Sequence, residues 1–153
     1  MKKIILGLFL ILGTISFATP KNLDIVKANK VGYDVLRERE DDIILGKFTD
    51  TEGTTVGIIF GFNDMSAKDS FESLKASSPE TLKLVSITET QKTYIAKYVY
   101  ITEDAYFYAL SPKNLKFKNV YFSIVSTTNK NLDGDNLNKT ADAYINEVES
   151  FLK

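Results

Sequence analysis

Three apolar, aromatic-rich runs crowd into the stretch from Lys92 to Ser126: Thr93 to Thr102 (TYIAKYVYIT), Tyr106 to Leu110 (YFYAL) and Leu115 to Val125 (LKFKNVYFSIV). β-Branched and aromatic residues suit a pleated, half-buried surface, so these runs predict consecutive strands. Glu103-Asp104 and Ser111-Pro112-Lys113-Asn114 separate them and carry turn chemistry. A two-residue loop at Glu103-Asp104 sets Ile101 opposite Tyr106, Tyr100 opposite Phe107, Val99 opposite Tyr108 and Tyr98 opposite Ala109. One face then carries Tyr98, Tyr100, Phe107 and Ala109, and the other Val99, Ile101, Tyr106, Tyr108 and Leu110. Neither face turns polar, so a covering layer is expected on both sides, and helices are the natural cover.

Upstream, Val31 to Glu38 alternates as a first strand with Val31, Tyr33 and Val35 on one face. A charged hairpin tip, residues 37–42, leads into Ile43 to Phe48, and a turn at residues 50–53 leads into Thr54 to Phe62. Gly57 and Gly61 within that strand predict a bulge or a close backbone approach. Ser66, with Asp69 three positions later, resembles a capping box and opens a helix from Ala67 to Ser77 whose narrow apolar stripe is Ala67, Phe71 and Leu74. Ser78-Pro79 ends it. Thr81 to Thr88 resumes the strand pattern. The clearest period is the last: Leu137, Ala141, Tyr144, Ile145, Val148, Phe151 and Leu152 recur at steps of three and four, predicting an amphipathic helix over Asp135 to Lys153 docked on the sheet. The expected fold is therefore α+β, a mostly antiparallel sheet of about six or seven strands covered by helices, in the order β-β-β-α-β-β-β-β-α.

The first twenty residues change the picture of location. Lys2 and Lys3, the uncharged apolar run Ile4 to Ile15, and the small residues Ser16 and Ala18 are the three parts of a secretory signal peptide, residues 1–18. Ile4 to Ala18 is shorter than the roughly 20 apolar residues a bilayer-spanning helix needs, so no stable membrane insertion is expected after cleavage. Residues 19–30 read as a leader segment that fits a helical turn, a strand or a loose connection, and 31–153 as a single domain. Cleavage takes the formal charge from −1 to −3 by removing Lys2 and Lys3, and the charges are spread along the chain, so there is no footprint for nucleic acid. With no Cys, an exported domain of this size relies on packing rather than disulfides.

Candidate chemistry is sparse. The absence of His and Cys removes the commonest general base and the thiol nucleophile, and no Gly-rich phosphate loop or Gly-x-Ser-x-Gly elbow occurs, so neither catalytic residues nor a cofactor are assigned. Glu38, Glu40, Asp41 and Asp42 offer oxygens to a hard cation, but Arg37 and Arg39 interleave them as in a solvated loop. Asn129, Asn131 and Asp133, followed by Gly134, match the first, third, fifth and sixth positions of a calcium loop. Thr140 stands where that loop needs a bidentate Glu, and a turn capping the last helix accounts for the same residues. Tyr98, Tyr100, Tyr106 and Tyr108 offer area with a polar tip and are the ligand-binding candidates, although cross-strand aromatic packing under helices explains them without a ligand and is the preferred reading.

The opening strand at Val31-Gly32-Tyr33, the passage from Thr54 to Phe62 into Ser66 to Leu74, and the closing helix Tyr144 to Leu152, with Ile145 and Ser150-Phe151, together resemble the PsbP-like and DcrB-like group of small exported or lumenal domains. That resemblance implies an antiparallel sheet between helices and an accessory or binding role rather than catalysis, and it transfers no functional residue. The expectation is an exported bacterial domain, periplasmic or secreted, that binds an envelope or extracellular protein partner or a small ligand through sheet edge or loops. The alternative is a small hydrolase-like or inhibitor-like factor using carboxylates.

Overall fold

The computed structural model describes residues 22–49 and 53–153. The signal-peptide reading and most of the turn at residues 50–53 lie outside the described residues. The fold is α+β: among the described residues it is a seven-stranded, wholly antiparallel sheet with three helices. In chain order the elements are α1 (Ile25–Lys30), β1 (Asp34–Glu38), β2 (Asp42–Thr49), β3 (Thr54–Gly61), α2 (Ala67–Ala76), β4 (Leu82–Glu89), β5 (Thr93–Tyr100), β6 (Tyr106–Pro112), β7 (Tyr121–Thr128) and α3 (Gly134–Glu149). The sheet order is β1-β2-β3-β7-β6-β5-β4. After β3 the chain crosses one face as α2, reaches the far edge as β4, and meanders back until β7 pairs with β3.

The two helical layers follow from alternation. Ile95, Tyr108, Leu110, Ile58, Phe60 and Ile124 point to one face, where Leu137, Ala141, Ile145 and Val148 of α3 complete the main core. Their neighbours Ala96, Tyr98 and Ala109 point to the other, against Phe71 of α2. Ser66 caps α2: its hydroxyl accepts from the Asp69 amide at 3.1 Å and donates to the Asp69 carboxylate at 2.6 Å. On the α2 side a chain of buried hydroxyls, Ser70 to Ser123 at 3.0 Å and Ser123 to Ser111 at 2.9 Å, stitches the helix to β7 and β6.

Several expectations are corrected. The β5–β6 register is offset by two: Val99 faces Tyr106, Tyr98 faces Phe107 and Ala96 faces Ala109. The chain needs residues 101–105 to turn, with the Tyr100 amide donating to the Ala105 carbonyl at 3.0 Å and Ile101 left in water. A shift of two preserves the side-chain parity, so both apolar faces survive. The first strand starts at Asp34, not Val31, and both Val31 and Val35 are exposed while Tyr33 is fully buried. β7 begins at Tyr121 rather than Leu115, after a bridge between Phe117 and Val120. α3 stops at Glu149, where the Lys116 ammonium donates to the carbonyls of Glu149 and Leu152. Of the three readings open for residues 22–30, the helical turn is the one found, as α1, and Leu23 and Ala28 sit in the main core. Backbone bonds from Asp24 to Phe151 and from Lys153 to Asn22 tie this segment to the end of the chain. Bulges fall in β1 and β4, not at the β3 glycines. A Cβ at Gly61 would lie 2.1 Å from the Tyr121 ring, so that glycine serves a close approach.

Candidate functional site

The α3 side of the sheet changes character from rung to rung. Leu45, Ile58, Ile124, Leu110 and Ile95 form an aliphatic rung across β2, β3, β7, β6 and β5. The next rung is Lys47, Val56, Ser126, Tyr108 and Lys97. Beyond it Thr49 pairs with Thr54, and the Thr54 hydroxyl donates to the Thr128 hydroxyl at 3.1 Å. Large apolar side chains thus give way to small hydroxylic ones in the same direction on three adjacent strands. The helix above them does not fill the difference.

The result is a cavity of about 290 Å³, floored by the mixed and hydroxyl rungs and roofed by Leu137, Thr140, Ala141 and Tyr144 of α3, with Leu132 and Lys130 at one side. Those four helix positions recur at three and four, so they share one helical face. The volume lies near the lower end of the roughly 300–1,000 Å³ typical of small-molecule sites. Ser126 is 4% exposed and lines this space. Lys47, half-buried at the end of the same rung, sets its ammonium 5.2 Å from the Tyr33 ring centroid. Among the described residues, neither this cavity nor the one described below has a carboxylate in its lining.

The far end of the mixed rung is closed. The Lys97 ammonium donates to Asn131 Oδ1 at 2.5 Å, to the Leu132 carbonyl at 3.1 Å and to Asp133 Oδ1 at 2.5 Å, and lies 5.3 Å from the Tyr106 ring centroid. Tyr108 completes the clamp: its hydroxyl donates to the Lys130 carbonyl at 3.0 Å and accepts from the Leu132 amide at 2.7 Å. Burial pushes the Tyr108 phenol above its ordinary range, with the Leu132 amide opposing and Asp133 adding to the shift, so it remains a donor at neutral pH.

These contacts settle where the sequence candidates stand. The oxygens of Asn131 and Asp133 that resemble a calcium loop surround the protein's own ammonium group, while Asn129 is exposed. Asp133 occupies the N-cap position of α3 but makes no side-chain capping bond, because Lys97 holds its carboxylate; this corrects the capping reading. Arg37 grips Asp42 through two bonds of 2.8 Å in the charged hairpin. The four tyrosines do not converge. Tyr106 and Tyr108 face α3; Tyr98 and Tyr100 face α2, where Tyr98 packs edge-on against Phe107 with centroids 5.8 Å apart.

Tyr100 lines a second, smaller cavity of about 110 Å³ on the α2 side, beneath Leu36, Phe48, Leu82 and Phe107, with the paired Gly46 and Gly57 in its floor. Among the described residues its lining holds no charged side chain, and Thr55 Oγ1 is buried there without a partner. Ser126, Lys47 and Lys97 were not singled out in the sequence. The usable signal was the taper along alternate positions, Phe122-Ile124-Ser126-Thr128 and Phe60-Ile58-Val56-Thr54, from large to small toward one end of the sheet. Among the described residues no helix is long and apolar enough to cross a membrane. Comparison with family models, with curated proteins and with solved structures finds no match.

Proposed function

We propose that this chain is an exported bacterial accessory domain that binds a small ligand in the cavity between α3 and the sheet. The observation that carries the reading is the cavity itself, about 290 Å³, into which the small Ser126 side chain opens between Val56 and Tyr108 of the same rung. The surrounding wall supports it: apolar Val56, Leu110, Leu132, Leu137 and Ala141 offer contact area, while Lys47, Thr140 and Tyr144 offer polar tips that would orient a bound molecule. Export, to the periplasm or beyond the cell, is supported by Lys2, Lys3 and the apolar run that follows them. The likeness to PsbP-like and DcrB-like domains points the same way, toward binding rather than chemistry. A hydrolytic role would need converging carboxylates over a cavity, and among the described residues neither lining holds Asp or Glu.

Filling the space tests the reading. Ser126→Leu places an aliphatic side chain in the cavity. The variant is expected to fold with equal or greater thermal stability and to lose the ligand-induced amide shifts that small amphipathic molecules produce at Leu137 and Ala141 in the wild type. Shifts that persist in the filled variant, or that never arise in the wild type, would refute the assignment of this cavity.

A further inference from the structure

We propose that the outer edge of β4 pairs with the same edge of a second copy of this chain, antiparallel, about a two-fold axis that passes between Val85 and Ser86. The surface is separate from the cavity reading above, since residues 83–89 lie outside both cavity linings. Among the described residues the sheet ends at β1 and β4, and the two ends are unlike. β1 has five residues, of which Asp34, Arg37 and Glu38 are charged, and Arg37 is gripped by Asp42. Shortness and charge keep an edge from pairing with another chain. β4 has eight residues and carries no charge from Leu84 to Thr88. Leu84, Val85 and Ile87 keep 46%, 52% and 52% of their surface in water, because α2 packs over β6 and β7 and leaves them uncovered beside Tyr98 and Ala96. An uncharged, apolar edge of that length is a template for a further strand.

The order of faces along β4 says which strand fits. Leu82, Leu84, Ile87 and Glu89 lie opposite Tyr100, Tyr98, Ala96 and Tyr94 and so share the α2 face. Lys83, Ser86 and Thr88 lie opposite Val99, Lys97 and Ile95 and share the α3 face. The bulge between Leu84 and Ser86 inserts Val85 and shifts the alternation by one, so the faces read the same from Leu82 inward as from Glu89 inward. Residues directly opposite in an antiparallel pair must share a face, and a two-fold axis normal to the sheet keeps each face on its own side. Setting Leu84 of one copy opposite Ile87 of the other meets both conditions at once. It brings the two Leu84–Ile87 pairs together as one apolar cluster on the α2 face. Lys83 then stands opposite Thr88, and Leu82 opposite Glu89, so no like charges meet. An unrelated peptide would draw nothing from this internal symmetry, whereas a second copy uses all of it.

Sedimentation of the purified protein over a range of concentrations tests this. One added strand pair covers less than the roughly 1,200 Å² of a standard interface, so the dissociation constant is expected on the order of 100 μM, with the mass levelling off at two copies. Leu84→Lys and Ile87→Glu change exposed side chains, so each variant is expected to keep the wild-type melting temperature while its self-association weakens about tenfold. An equimolar mixture of the two variants sets the new Lys opposite the new Glu once per dimer and is expected to recover the wild-type constant. A mixture that associates no better than the single variants overturns the pairing, as does a mass that climbs past two copies. A wild-type protein that stays at one copy up to about 1 mM overturns it as well, and leaves this edge to an extended segment of another protein.

Discussion

Replacing Lys97 by Met removes an ammonium and keeps the length of its stem, which isolates what that charge contributes. Lys97 is 4% exposed and gathers Asn131, the Leu132 carbonyl and Asp133 around one nitrogen. Were both ends of the ion pair buried, deleting one would cost about 3–5 kcal/mol, because a stranded charge remains. Here the Asp133 side chain is 69% exposed and can be rehydrated, so the full penalty does not apply. The remaining loss is that of hydrogen bonds to a charged donor, with the Leu132 carbonyl and the Asn131 amide oxygen left to find water, offset by the relief of no longer desolvating an ammonium. The net expectation is a loss of about 2 kcal/mol, which for a domain of this size lowers the melting temperature by roughly 6–10 °C. Urea unfolding should show a lower midpoint at unchanged slope. Hydrogen exchange should rise at residues 130–134, the segment that Lys97 and Tyr108 hold. The same geometry predicts that millimolar calcium leaves the wild-type transition where it is, since a lysine stands among the calcium-like oxygens. A variant within about 0.5 kcal/mol of wild type, or one more stable, would show that ammonium desolvation cancels the clamp and would refute this account.

Other consequences are open to direct measurement. Thr55→Val removes a buried hydroxyl with no described partner while conserving shape, so it should raise stability by about 1 kcal/mol, and a loss in a thermal melt would mean that the hydroxyl is satisfied after all. Deleting Tyr144 to Lys153 removes Ile145, Val148, Phe151 and Leu152, all buried, at roughly 1.5–3 kcal/mol each against a net stability of about 5–15 kcal/mol, so the truncated chain should show no cooperative heat transition; a sharp one would place the core elsewhere. The Tyr33 phenol is raised well above its ordinary range, chiefly by burial and then by Glu147, so above about pH 10 the unfolded chain releases a proton that the folded chain keeps. Stability should therefore fall as pH rises through the tyrosine range, and Tyr33→Phe should make that fall shallower, with Tyr100 and Tyr108, also raised by burial, supplying the rest. An unchanged slope in urea midpoints against pH would argue that Tyr33 is not the group responsible.

What was legible in the sequence was whatever depends on near neighbours. α2 and α3 follow from period and capping, and the strands follow from runs of β-branched and aromatic residues. The inference of two covered faces survived a wrong register for a physical reason. Ile101 looked like strand, yet Ala105 is buried and accepts from the Tyr100 amide, which lengthens the turn. The slip is an even number of residues, so each side chain kept its face. The early chain was harder to read for the opposite reason. Val31 and Val35 alternate as a strand should, but what fixes α1 and Tyr33 is contact with Phe151, Ser150 and Glu147, more than a hundred positions away.

The site was less legible still, because it is made by register rather than by motif. Ser126 opens a cavity only because β7 lies between β3 and β6, with Val56 and Tyr108 beside it, and because Thr140 and Ala141 pass above. The two lysines of that rung make the point sharpest. In sequence, Lys47 in ILGKFT and Lys97 in IAKYVY are the same object, a cation inside an apolar strand. Desolvation penalises both, and a fold tolerates such a group only with a partner or a route to water. Lys97 found its partner within the chain, in a loop 34 to 36 residues later, and so became part of the architecture. Lys47, half-buried, instead lays its stem beside Gly32 and its ammonium over the Tyr33 ring, so the same residue type in the same strand context is held by a π face rather than by a carboxylate.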